Sequence, residues 1–209
     1  EPQHSIAGLR DKETALIEKN DSLKAVAYEH FRKSGRKGFP IVRSNAVQAL
    51  DDADSLLSEK GYRPEIVFFD LPGTLKSDGV IKTLSQMDYI FTPVSADRFV
   101  VESALQFVMM FNDNLVTTGL AKTKAISLFW TMVDGREKTG LYDLYGKLFA
   151  ENNFRVLDTR LPDSKRFRRE PSDDRKSVFR STILPPDTSM LKGSRIRELS
   201  EEICSIING

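Results

Sequence analysis

The stretch Glu65-Ile66-Val67-Phe68-Phe69-Asp70-Leu71-Pro72-Gly73 decides the predicted fold of this chain. Residues 66–69 are continuously apolar, as in a parallel strand that is buried on both faces, and a carboxylate follows them directly. Proline and glycine then turn the chain, and a helix is predicted from about residue 78 to residue 86. The stretch therefore predicts a buried strand with Asp70 at its carboxyl end, which is where open parallel sheets bind ligands.

The same alternation of strands and helices extends to both sides of this stretch. Short apolar runs predict strands at residues 39–42, 88–94, 124–133 and 154–159. Helical spacing of apolar residues predicts helices at residues 5–33, 45–57, 97–115, 141–150 and 191–207. Strands separated by helices predict βαβ units, and hence a three-layer α/β fold with a mostly parallel sheet. We expect one domain that spans residues 1–209.

Composition excludes several classes of protein. The 209 residues carry 31 basic and 30 acidic side chains, so the chain is not a uniformly basic nucleic-acid binder, although a local basic patch remains open. One cysteine and two histidines exclude an internal disulfide framework and the usual zinc sites. The longest apolar run, residues 125–133, is interrupted by Ser127 and Thr131 and is too short to span a bilayer. These features predict a cytoplasmic protein. No membrane partner is expected, because the helix predicted at residues 191–207 has Glu198, Glu201 and Glu202 towards its end, which disfavours anionic lipid.

The segments that follow the other predicted strands are candidate ligand loops. Residues 92–97, 131–136 and 159–163 each contain an Asp together with a Pro or a Gly. For any one of these loops alone, an ordinary strand-to-helix turn is the simpler interpretation, because Asp, Pro and Gly are common turn and capping residues.

Five segments taken in order carry a more specific signal than any single loop. They are residues 2–5, 68–73, 87–94, 131–136 and 159–172. Together they resemble the motifs of the ParA/MinD group of deviant P-loop ATPases, which partition plasmids and chromosomes. The sequence of residues 69–74, 133–138 and 165–168 is most similar to a subgroup called TraA, which is carried on conjugative transposons.

The resemblance implies a P-loop NTPase (Rossmann-like) fold that binds ATP and Mg²⁺ and forms an ATP-dependent homodimer. Such proteins hydrolyse ATP slowly until a partner, such as a ParB-like protein, stimulates them. The function implied is DNA partitioning or the transfer of a mobile element such as a conjugative transposon or plasmid. The alternative is a non-catalytic α/β module that binds DNA or protein and has lost ATP turnover.

The resemblance also implies roles for residues near the phosphates. Asp70 would hold a magnesium-bound water, Pro72 would fix the turn, and Gly73 would offer its N–H near the γ-phosphate. Gln3 and Ser5 would lie in the first switch, close to the attacking water.

A second set of residues would surround the base and ribose. The resemblance implies Thr131, Asp134, Pro162 and Asp163 for this role. The family more often has arginine at the position of Asp163, so a base contact there departs from the pattern.

The family's P-loop motif, Lys-Gly-Gly-x-Gly-Lys-Thr, does not occur in the 209 residues. The nearest stretch, Gly35-Arg36-Lys37-Gly38, precedes a predicted strand instead of following one, so it would not cradle a phosphate. The N-terminal strand and P-loop are thus absent from the sequence. Either the chain is a fragment of a longer protein, which we expect, or the gene product is truncated and inactive.

A local excess of positive charge predicts a DNA partner. Residues 160–180 contain eight basic and four acidic side chains. The candidates for non-specific phosphate contacts are Lys165, Arg166, Arg168, Arg169, Arg175 and Lys176. The alternative is a solvated surface, or salt bridges within the protein.

Overall fold

The computed structural model describes residues 5–59, 61, 63–73, 79–136, 140–172 and 178–209. These residues group into two compact units. The first consists of Glu1–Val80 and Lys165–Lys192, and the second of Ile81–Ser164 and Gly193–Gly209. The expectation of a single domain stays a prediction.

Helices dominate the first unit. Helix α1 spans Ser5–Lys19, α2 spans Asp21–Ser34 and α3 spans Ala49–Leu57. The sequence predicts one helix over residues 5–33, but the Asn20 carboxamide accepts a hydrogen bond from the Leu23 N–H at 3.2 Å and starts a new helix there. Helix α2 ends at Ser34 and is capped by Gly35, whose φ of 63° is the left-handed conformation that favours glycine.

The return segment of the first unit supplies part of its core. It contains a 3₁₀ turn, Lys165–Arg168, and a short helix α7, Thr188–Leu191. Val178 and Leu184 from this segment pack with Ala27 of α2, and the half-buried Ile17 and Leu23 lie against them.

The second unit is built around a parallel sheet. Helix α4, Val80–Leu84, begins at the boundary between the units. Among the described residues, strands β1 (Tyr89–Val94), β2 (Ala125–Trp130) and β3 (Arg155–Val156) pair in the order β1-β2-β3, all parallel.

Helices make the crossovers between these strands. Helix α5 spans Arg98–Phe111 and continues as a π-helical turn, Asn112–Val116. Helix α6 spans Leu141–Glu151, and α8, Ile196–Asn208, closes the chain. The structure therefore confirms an α/β architecture with a parallel sheet.

Apolar side chains from the sheet and two crossover helices form the core of the second unit. The buried members come from β1, β2, α5 and α6: Val94, Val101, Ala104, Val108, Leu128, Trp130, Tyr142 and Phe149. The predicted long apolar helix at residues 97–115 is confirmed in its main part, since α5 contains four buried residues, three of which belong to this core.

Two predicted strands are wrong. Residues 39–42 and 65–70 have no regular secondary structure, and Ile66, Val67 and Phe68 are 39%, 44% and 78% exposed. An apolar run forms a buried strand only when a neighbouring strand pairs with its N–H and C=O groups, and no described strand pairs with either segment.

None of the helices in the described part of the chain combines the length and the apolar character needed to cross a membrane.

Candidate functional site

The loops that follow β2 and β3 meet at the carboxyl edge of the sheet. The Leu161 N–H donates to the Trp130 carbonyl at 2.8 Å, and the Val133 N–H donates to the Leu161 carbonyl at 3.0 Å. A parallel bridge joins Val133 to Pro162, and the Asp163 N–H donates to the Val133 carbonyl at 2.9 Å. Parallel pairing therefore continues beyond the strands and brings two of the sequence motifs together.

Thr131 is tied to the neighbouring strand. Its N–H donates to the Val94 carbonyl at 2.8 Å, and its hydroxyl donates to the same oxygen at 3.3 Å. The predicted base-site residues Thr131, Asp134, Pro162 and Asp163 thus lie on adjacent segments at one edge of the second unit.

Met132 is the strained point of this edge. Its φ is 54°, in the left-handed region that the backbone of a non-glycine residue seldom adopts, and 57% of the residue is exposed. Hydrogen bonds of Thr131 and Val133 hold the backbone on both sides of it. Strain of this kind persists where the surrounding structure over-determines the backbone, and it is enriched at ligand sites. No local sequence signal marks Met132.

The Asp134 carboxylate is held by Arg136. Oδ1 accepts hydrogen bonds from the Arg136 backbone N–H at 2.9 Å and from Nε at 3.0 Å, and Oδ2 accepts from Nη2 at 2.9 Å. The Asp134 N–H in turn donates to the Tyr142 hydroxyl at 3.3 Å. The Arg136 guanidinium lowers the pKa of Asp134 to about 2. The Asp134 carboxylate is therefore ionised near neutral pH, and both of its oxygens already accept hydrogen bonds from Arg136.

We expect Arg136→Gln to raise the pKa of Asp134 from about 2 towards its ordinary value of 3.8, because the variant has no charged donor at this position. The folded-state pKa is depressed, so the stabilisation from this pair is full above the unfolded pKa and is lost as the pH falls towards 2. Carbon-detected NMR titration of the Asp134 carboxyl in both proteins measures this. Equal titration midpoints in the two proteins would refute the pairing.

Aromatic side chains next to these loops pack against each other and against Arg160. The Trp130 and Tyr142 rings meet edge to face with centroids 5.3 Å apart, and the Arg160 guanidinium lies 5.5 Å from the Tyr142 centroid. Arg160 also pairs with Asp143 at 3.5 Å. A cation over an aromatic face gains electrostatic energy, so this contact helps to fix the segment that leads to Pro162.

Glu202 of α8 anchors the strand-to-loop junction. Its two carboxylate oxygens accept hydrogen bonds from the Asp158 N–H at 2.7 Å and the Thr159 N–H at 3.0 Å. Burial works to raise the pKa of Glu202, but these hydrogen bonds outweigh it and the pKa is lowered. The sequence alone does not predict this contact, because 43 residues separate Glu202 from Thr159.

Glu202→Ala is expected to lower the free energy of unfolding by about 1–3 kcal/mol, because it leaves the Thr159 N–H without its acceptor in a buried position. Urea denaturation of the variant and of the wild type measures the difference. The exposed neighbour Glu201 provides the matched control, and Glu201→Ala should change stability by less than about 0.5 kcal/mol. Equal reductions in the two variants would contradict the anchoring role.

The predicted phosphate-side residues lie in the first unit. Asp70, Pro72 and Gly73 are exposed, and a Cβ added at Gly73 would meet no atom within 4 Å. Ser5 begins α1, while its side chain and the whole of Gln3 lie outside the described residues. The structure therefore brings Asp70, Pro72 and Gly73 together only through their proximity in sequence.

In the loop at residues 92–97, Asp97 has the ordinary capping role that the simpler interpretation of this loop, a strand-to-helix turn, predicts. The Asp97 carboxylate accepts hydrogen bonds from the Phe99 N–H at 2.9 Å and the Val100 N–H at 3.1 Å, so it caps α5.

The basic stretch divides into engaged and exposed residues. Lys165, Arg168 and Arg169 are exposed, whereas the Arg166 guanidinium donates to the carbonyls of Met190 at 3.0 Å and Lys192 at 2.5 Å. Arg166 therefore has an internal role that the sequence prediction does not include. Arg175 and Lys176 lie outside the described residues.

Comparison of the chain with protein-family models, with curated proteins and with solved structures finds no match.

Proposed function

We propose that this chain is the nucleotide-binding part of a ParA-like ATPase that acts as an ATP-dependent dimer in DNA partitioning or in the transfer of a mobile element. The observation that carries the proposal is the pairing of residues 131–133 with residues 161–163 through the Val133–Pro162 bridge. Two motifs of the resemblance, about 30 residues apart in sequence, thereby lie side by side at the carboxyl edge of a parallel sheet.

The donor types suit a magnesium nucleotide. Mg²⁺ is usually held by one or two carboxylates, waters and the substrate phosphates, so a single Asp70 acting through water would suffice. The described residues contain no cluster of three or more potential ligand side chains that would indicate an all-protein metal site. The open space at Gly73 would let its N–H approach a phosphate. Bound Mg²⁺ would supply charge neutralisation for the phosphates, and Gln3 and Ser5 would orient the attacking water.

The exposed apolar segment fits the same proposal. Residues 66–68 show what a strand without its neighbour would show, because their apolar side chains face solvent. In the proposed three-layer P-loop NTPase fold, a strand leading to a P-loop would pair with this segment. The proposal therefore requires a P-loop that the 209 residues do not contain.

ATP hydrolysis by the protein expressed from its whole gene tests the proposal. We expect slow Mg²⁺-dependent phosphate release that rises on addition of DNA together with a ParB-like partner encoded nearby. Phosphate release no faster than in buffer, with and without these additions, would favour the alternative of a non-catalytic α/β binding module. A cytoplasmic location is part of the proposal.

Non-specific DNA is the proposed macromolecular partner. Lys165, Arg168 and Arg169 are exposed in one short segment, and a row of cations attracts phosphates without regard to base sequence. Arg166 is left out of the contact set because two backbone carbonyls already occupy its guanidinium.

Replacing Arg168 and Arg169 together with alanine should weaken DNA binding equally for unrelated sequences. It should also lower the slope of log affinity against log salt by about two, since each arginine that no longer neutralises a phosphate lowers the slope by about one. Fluorescence anisotropy across a salt series measures the slope. Arg197→Ala, which removes an exposed arginine from α8, is the control for a change of charge and should leave the slope unchanged. An unchanged slope in the double variant would show that these arginines do not contact phosphate.

A further inference from the structure

The segment Lys165–Lys192, called the basic segment below, is closed at its ends. Arg166 near its start donates to the carbonyls of Met190 and Lys192 near its end. Within the segment the Phe179 and Arg180 N–H groups both donate to the Arg169 carbonyl, at 3.0 and 2.8 Å. The backbone that carries Arg168 and Arg169 is therefore held by the part of the segment that returns.

The later part of the basic segment is hydrogen-bonded to α1 through the buried carboxylate of Glu13. Glu13 is 1% exposed, and its Oε2 accepts hydrogen bonds from the Thr182 N–H at 2.8 Å and from the Thr182 hydroxyl. Its other oxygen, Oε1, has no hydrogen-bond partner among the described residues.

Arg10, one helical turn before Glu13, donates hydrogen bonds to the same threonine. Its Nε donates to the Thr182 hydroxyl at 2.7 Å, and its Nη2 donates to the Thr182 carbonyl at 3.1 Å. The Thr182 hydroxyl therefore accepts from a guanidinium and donates to a carboxylate. Both terminal nitrogens of the Arg10 guanidinium also donate to the Phe39 carbonyl at 3.1 Å.

The buried pairing of Glu13 with Thr182 is not expected to add much to the free energy of unfolding. A buried carboxylate with one unpartnered oxygen carries a desolvation penalty, and apolar side chains of similar volume are often at least as stabilising. The arrangement does fix the position of Thr182 relative to α1. Charge-assisted hydrogen bonds from α1 side chains engage three groups of Thr182: its hydroxyl, its carbonyl and its N–H.

We propose that Glu13 and Arg10 are positioning residues for the proposed DNA contact: by clamping Thr182 they hold the basic segment so that Arg168 and Arg169 are presented together to DNA phosphates. This inference rests on the proposed contact with DNA. Loosening the clamp lowers DNA affinity without removing a single cation, because the arginines are then less preorganised for adjacent phosphates.

The test compares Thr182→Val, which removes the hydroxyl and keeps the shape, with Thr182→Ser, which retains the hydroxyl. Hydrogen exchange is measured for the amides of residues 178–183, together with anisotropy of a short fluorescein-labelled DNA duplex. We expect exchange of these amides to rise about tenfold in the valine variant, and DNA affinity to fall about three- to tenfold. The serine variant should behave as wild type in both measurements.

A double-mutant cycle separates positioning from a general reduction in stability. In a background with Arg168→Ala and Arg169→Ala, Thr182→Val should still speed exchange but should no longer change DNA affinity. Unchanged exchange in the valine variant overturns the clamp. Faster exchange with unchanged affinity, in a protein whose binding does depend on Arg168 and Arg169, overturns the positioning role. Absence of DNA binding by the wild type removes the proposed DNA contact and the positioning role with it, while the exchange difference between valine and serine still reports the clamp.

Discussion

Replacing Trp130 with alanine should lower the free energy of unfolding by about 3–5 kcal/mol. Trp130 is only 2% exposed, and its ring lies against those of Tyr142, Tyr145 and Phe149. Removing the ring leaves a cavity that the backbones of β2 and α6 cannot fill without moving. Because Trp130 ends β2 directly before Thr131, the candidate ligand loop at residues 131–136 should loosen as well.

Urea denaturation followed by far-UV circular dichroism, which does not depend on tryptophan fluorescence, measures this change. Leu144, 62% exposed on α6, is the control: Leu144→Ala should change the free energy of unfolding by less than about 0.5 kcal/mol. A decrease below about 1 kcal/mol for the Trp130 variant would mean that the aromatic cluster is not the core of this unit.

Replacing Asp70 with asparagine should reduce ATP hydrolysis roughly 100-fold or more, because the variant lacks the charge that would hold a magnesium-bound water in the proposed site. Stability should change little, since the side chain is exposed. Phosphate release under saturating Mg-ATP measures the effect in the protein expressed from its whole gene.

An exposed aspartate elsewhere gives the matched control for this substitution. Asp113 lies in the π-helical turn after α5, and Asp113→Asn should hydrolyse ATP at the wild-type rate. A wild-type rate in the Asp70 variant would remove that residue from the proposed site, even if the protein proves to be an ATPase.

The sequence predicts the second unit well because its signals are local. Mostly apolar runs mark β1 and β2, helical spacing marks α5 and α6, and a parallel sheet follows from their alternation. The division between α1 and α2 also has a local signal, since Asn20-Asp21-Ser22 is a good capping sequence inside a long helical pattern.

What the sequence could not predict depends on contacts between distant residues. The run at residues 66–69 has every local property of a buried strand, yet pairing depends on a neighbouring strand that the run itself does not encode. The basic run at residues 165–169 does not indicate that Arg166 is engaged internally, because its hydrogen bonds go to carbonyls that lie 24 and 26 positions further along the chain. The left-handed Met132 and the anchoring Glu202 likewise follow from how the loops meet, which no local pattern specifies.

Thermal unfolding with and without Mg-ATP tests the proposed nucleotide site most directly. A ligand that binds only the folded state adds about 2.7 kcal/mol at a concentration about 100 times its dissociation constant, so the melting temperature of the protein expressed from its whole gene should rise by several degrees with Mg-ATP. The 209 residues alone, which contain no P-loop motif, should show no such rise. An unchanged melting temperature of the whole-gene protein at millimolar Mg-ATP would contradict the proposal that this chain is part of a ParA-like ATPase.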